Sequence, residues 1–194
     1  MKINKTMIIV ASILGGIAAL GGGYMSLSEN ISKKLDEFIG VTEIKGNQGF
    51  SNPAFEALMK AAGWIKGQAW CMYLARMVWK NTMPELVWNE AKKLISGSTQ
   101  GSYNAVKNSK SNVIFITDRP QKGFIAVWQS KMNPTLGHAG IVKSVNADNT
   151  FNDVEGNTNR LDSREGEGVY AKKRNLTGIS SDLLLRGFIG FKVS

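Results

Sequence analysis

The rhythm of apolar and polar residues changes twice along the chain. Met7 to Leu27 (MIIVASILGGIAALGGGYMSL) is apolar and uncharged. As a helix rising 1.5 Å per residue it just spans a hydrocarbon core of about 30 Å. Lys2 and Lys5 precede it and predict a cytoplasmic N-terminus with the body translocated. Three forms fit: a cleaved signal peptide with Ala19, Gly21 and Gly23 near the cut, a permanent anchor, or a weakly held segment able to leave the bilayer. Gly15, Gly16 and Gly21 to Gly23 make it a poor soluble helix.

From Ser28 the period becomes helical. Ile31, Leu35 and Phe38 predict a short helix or tether to about residue 42, followed by a Gly- and Asn-rich loop from Glu43 to Asn52. Helices are expected over Pro53–Ala62, Ala69–Asn81 and Pro84–Ile95, the last stopped by Gly97, and Tyr103–Asn108 adds a turn. The pattern then shortens to strands at Val113–Ile116, Gly123–Ser130, Gly137–Val145, Thr150–Glu155, Val169–Lys173 and Phe188–Val193. Helices first and an antiparallel sheet afterwards predict an α+β fold. The expected organisation is residues 1–27 as signal or transmembrane segment, 28–42 as helical tether and 43–194 as one domain.

Composition changes this picture little. The 194 residues are 43% hydrophobic and 20% charged, ordinary for a globular body. The formal charge of +9 favours anionic partners without choosing among nucleic acid, lipid and wall polymer. No nucleic-acid-binding motif is present, and none is expected as partner. One cysteine and one histidine exclude an intrachain disulfide and a Cys/His zinc cluster. No cofactor or metal is implied, although an all-carboxylate site stays open.

The candidate chemistry lies at those two residues. Cys71 falls at a predicted helix start, where backbone N–H groups and the helix dipole favour thiolate and can also hold an oxyanion. The same positions also read as a helix face that buries Cys71 with Leu74, Ala75 and Val78. His138 lies in a strand followed by the turn Asn146-Ala147-Asp148-Asn149. If Val145 pairs with Thr150, Gly140 lies opposite Glu155 and His138 opposite Asn157. His138, Glu155 and Asn157 then share one face. A three-residue loop would break that register. Thiol, imidazole and a polar orienting group are what a thiol enzyme requires.

The stretch from Gly63-Trp64 to Gln68-Ala69-Trp70-Cys71, the strand Gly137-His138-Ala139-Gly140-Ile141-Val142 and Val154-Glu155-Gly156-Asn157-Thr158 resemble the CHAP family of cysteine, histidine-dependent amidohydrolases/peptidases. The similarity runs from about Glu43 to Phe191, through Arg186-Gly187-Phe188-Ile189. It implies a papain-like core, Cys71 as nucleophile, His138 as base, Glu155 orienting His138 and Asn157 assisting. It also implies Gln68, with Trp70 beside it, on the substrate or oxyanion side. The expected activity is hydrolysis of peptidoglycan amide bonds, by an amidase or endopeptidase of phage-lysis type working outside the cytoplasm and held at first to the membrane through residues 7–27. The alternatives are an inactive envelope-binding or scaffold module and a basic nucleic-acid-binding domain. Oligomeric state is not legible.

Overall fold

The computed structural model describes residues 27–159, 166–177 and 182–193. The expected membrane or signal segment, Leu27 apart, lies outside them. Among the described residues no helix is long and apolar enough to cross a membrane.

Helix α1 covers 27–36 of the described chain. Leu27, Ile31, Leu35 and Phe38 enter the main core, so the segment read as a helix or tether is a packed helix and turn. The expected loop after it holds a small hairpin, β1 (Glu43–Ile44) with β2 (Gly49–Phe50). Helix α2 is Pro53–Ala61, with proline in its first turn and Asn52 accepting the Phe55 N–H as cap. Helix α3 is Cys71–Thr82, and α4 is Glu85–Leu94. Where one turn was expected, a full helix α5 runs Thr99–Asn108, capped by the Ser98 hydroxyl on the Gly101 N–H. Its polar sequence hides it, because only one face is buried.

The strands β3 (Ile114–Thr117), β4 (Ile125–Ser130), β5 (Gly137–Val145), β6 (Thr150–Thr158), β7 (Gly168–Asn175) and β8 (Leu183–Phe191) form one antiparallel sheet of order β3-β8-β4-β5-β6-β7. The α+β class stands. Helix α3 lies on β5 and β6 and buries Met72, Leu74, Ala75, Met77, Val78 and Trp79. This seats its first residue, Cys71, beside the strand that carries His138.

The β5–β6 hairpin differs at its tip from expectation. Val145 pairs with Phe151 and the Asn146 N–H bonds to the Thr150 carbonyl, enclosing three residues, with Asn149 left-handed at φ 59°. That loop shifts the ladder by one. A bulge at Lys143 shifts it back, so Val142 meets Asp153 and Gly140 meets Glu155, as expected. The Lys143 side chain, thrown out by the bulge, ion-pairs with Asp36 of α1.

Candidate active site

Cys71 opens α3, whose N-cap residue Trp70 makes no side-chain cap hydrogen bond. The first-turn N–H groups are therefore not consumed by a capping side chain. The position of α3 is fixed by Trp70. Its indole is fully buried, donates to Glu43 of β1 (2.7 Å) and meets Phe50 edge-on at 5.0 Å. Gly156 lets β6 reach it, because a Cβ there would lie 2.5 Å from the Trp70 ring. A glycine between Glu155 and Asn157 thus seats the acid-bearing strand against the start of the thiol helix.

His138 is buried on β5, opposite Trp128 of β4. Its Nε2 meets Glu155 Oε2 at 2.9 Å. An ionised carboxylate only accepts, so Nε2 carries the proton, and Nδ1 is the ring nitrogen left for the thiol. Glu155 is in turn gripped by Arg174 of β7, with Nε to Oε1 at 2.6 Å and Nη2 to Oε2 at 2.7 Å. The Arg174 guanidinium also lies 5.6 Å from the Trp128 ring centre.

The charges support one another. Burial pushes the Cys71 thiol up, but hydrogen bonding to His138 and its positive charge, with help from Thr99 and the Ala139 N–H, bring it net below its usual range. Burial opposes the His138 charge too. Glu155 and Cys71 outweigh that and raise the imidazole to about 10. Glu155 is held well below the usual carboxylate range, against its own burial, by His138 and then Arg174. These interactions favour the thiolate and the imidazolium over the neutral pair.

Cys71, His138 and Glu155 are thus brought together. Asn157 is buried two residues beyond Glu155, but the expected pairing with His138 is absent from the ladder among the described residues. The β5–β6 pairs begin at Gly140–Glu155, and Asn157 takes a left-handed backbone at φ 57° that interrupts the pleat. Gln68 is exposed and its carbonyl oxygen accepts from the Tyr73 hydroxyl at 2.7 Å, next to a groove that Ala69, Ser96, Gly97 and Ser98 also line. Gly97, expected as the stop of α4, lines that groove: a Cβ there would lie 2.1 Å from the Tyr73 ring, while α4 ends at Leu94 with Ile95 as its C-cap. Trp70, expected beside Gln68, presents no exposed surface. A ring without exposed surface is a packing anchor.

Three neighbours were not read from the sequence. Thr99 places its hydroxyl 3.7 Å from the Cys71 sulfur, from the start of the overlooked helix α5. Arg174 required the β6–β7 register, which pairs it with Phe151. Asp153 did leave a signal: it stands two residues before Glu155, hence on the same strand face.

No curated protein matches the chain. Residues 63–157, a span that holds Cys71, His138, Glu155 and Asn157, match the family model described as the CHAP domain. The chain carries a CHAP domain, the domain of a family of cysteine, histidine-dependent amidohydrolases and peptidases of the peptidoglycan-hydrolase type.

Proposed function

We propose that this protein hydrolyses amide bonds of peptidoglycan, as an N-acetylmuramoyl-L-alanine amidase or a peptide-crosslink endopeptidase, with Cys71 as nucleophile. The observation that carries the reading is the buried His138–Glu155 pair, which leaves ring nitrogen Nδ1 without a hydrogen-bond partner and within electrostatic reach of the buried Cys71 thiol. The thiolate attacks the amide carbon, and the oxyanion that forms is held by backbone N–H groups at the start of α3. The His138 imidazolium gives its proton to the departing amine. The neutral imidazole then takes a proton from water, which attacks the thioester and releases the acid. Glu155 stays ionised throughout and keeps the Nε2–H tautomer, and Asn157 assists from the adjacent turn of β6. The groove at Gln68 and Ala69 approaches the starts of α3 and α5 and is the route by which the substrate strand reaches the thiol.

The papain-like arrangement, phage-lysis role and export through residues 7–27 belong to the same proposal. They rest on the apolar N-terminal sequence and the family's chemistry. The second reading, an inactive wall-binding module, is favoured by one feature: Cys71 is only 6% exposed. Clearing of a wall suspension separates the two. Hydrolysis stopped by thiol alkylation and untouched by EDTA supports the enzyme; wall binding without turnover supports the module. Activity lost to EDTA and restored by zinc contradicts both.

A further inference from the structure

Behind Glu155 lies a second carboxyl group that the mechanism above does not use. Asp153 is fully buried, and neither of its oxygens has a hydrogen-bond partner of good geometry. It packs with Glu155 over the bare backbone of Gly140, where a Cβ would lie 2.7 Å both from Asp153 Oδ2 and from Glu155 Cγ. The charged or titratable groups around it are Glu155 on its own strand, His138 on β5 and Arg174 on β7. Lys172 lies opposite it in the ladder and sends its ammonium to the Asn159 carbonyl.

Two counts fix its state. The buried Glu155 carboxylate already closes on His138 and on Arg174. A further charge on Asp153 would stand unpaired out of water, at a cost that ionisable side chains avoid by taking up a proton. Glu155 has about four acceptor positions, and His138 and Arg174 use three of them. One remains for a donor, and a protonated Asp153 is the donor at hand.

We propose that Asp153 is a positioning residue of this site, a neutral acid that gives its O–H to Glu155 and holds that carboxylate on His138. The proposal rests on the catalytic reading for its consequence, not for its chemistry. Without the proton from Asp153, Glu155 keeps its ion pair with Arg174 but is free to turn away from Nε2, and the Cys71–His138 pair weakens. Burial and the Glu155 charge hold the Asp153 carboxyl well above the usual range, as this requires.

The test compares Asp153→Asn, whose amide still donates, with Asp153→Val, which does not, in the full chain. Thermal unfolding checks that both are folded. The rate of Cys71 alkylation by iodoacetamide against pH reads the thiolate with no substrate involved. We expect Asp153→Asn to follow the wild-type profile and Asp153→Val to shift it upward. On wall substrate, Asp153→Val should lose about ten- to hundred-fold in kcat with little change in KM. If Asp153→Val does not fold, infrared difference spectra of wild type against Asp153→Asn decide alone. A protonated carboxylic acid band at neutral pH that vanishes in the variant supports the assignment. A carboxylate band there, or an Asp153→Asn alkylation profile displaced from wild type, overturns it. A shifted alkylation profile in Asp153→Val with no wall hydrolysis by wild type would uphold this role and reject the proposed function.

Discussion

Nε2 of His138 and Oε2 of Glu155 meet at 2.9 Å with essentially no solvent access to either side chain. A contact of that kind does more than aim a ring. It stores free energy in two protonation states, and each is lost in its own pH range.

His138 is raised in the fold to about 10 from 6.5, so its contribution to stability is complete below about pH 6.5 and is lost as pH climbs through about 10. Glu155 is lowered from 4.5, so its contribution is complete above about pH 4.5 and is lost as pH falls through the lower folded value. Both are whole between those limits. The stability difference between wild type and His138→Gln, from denaturant unfolding, should therefore be widest at about pH 5–6 and shrink towards about pH 10. A difference independent of pH would contradict a charged His138.

Arg174, after His138, is the counter-charge that lets Glu155 remain ionised while buried. Arg174→Met leaves that carboxylate short of a partner and should cost about 3–5 kcal/mol. Arg174→Lys should recover only part, since an ammonium cannot reproduce the two-point grip. Urea midpoints measure both. A loss for Arg174→Met within error of an ordinary surface substitution would mean that the grip is not made in solution.

Gly156→Ala places a methyl carbon 2.5 Å from the Trp70 ring and 2.9 Å from Leu74. Ring and strand must part, which moves the start of α3 away from β6. Overpacking of this kind costs about 1–3 kcal/mol. The expected signature is a fall in kcat larger than the stability loss explains, because Cys71 moves with Trp70. Unchanged kcat would show that Trp70 does not set the thiol's place.

The proposed export is tested on the whole chain by fractionation with N-terminal sequencing. Strongly apolar residues concentrate from Met7 to Leu14, and Gly and Ala follow, so insertion should be marginal. A soluble form that begins near Gly22 means cleavage; one that begins at Met1 means release from the bilayer. Leucine at Gly15, Gly16, Gly21, Gly22 and Gly23 should lock the protein in the membrane. Recovery of all the protein in the cytoplasm would remove the lysis role.

Much of this site is legible in the sequence because it is built from periodicities. The helix start at Cys71 and the strands that carry His138 and Glu155 follow from spacing. The register came out right at Gly140–Glu155 for an incomplete reason: a three-residue loop and a bulge at Lys143 cancel, and neither leaves a clear mark in residue type. Asn157 departs from the pattern because a left-handed residue breaks strand alternation, which no count of positions foresees. Thr99 was missed with its helix, since Thr99-Gln100-Gly101-Ser102 carries no apolar stripe. Arg174 depends on a strand pair joined through a long connection, so local pattern does not supply its register.

Digestion of purified peptidoglycan by the wild-type protein and by Cys71→Ala, with products identified by mass, tests the central claim most directly. Cys71→Ala should cost no more than about 1–2 kcal/mol and stay folded. The account predicts fragments with new amine and carboxyl ends from cut amide bonds in the wild-type digest, and none from the variant. Near wild-type turnover by Cys71→Ala, or fragments cut between sugars with every amide intact, would contradict it.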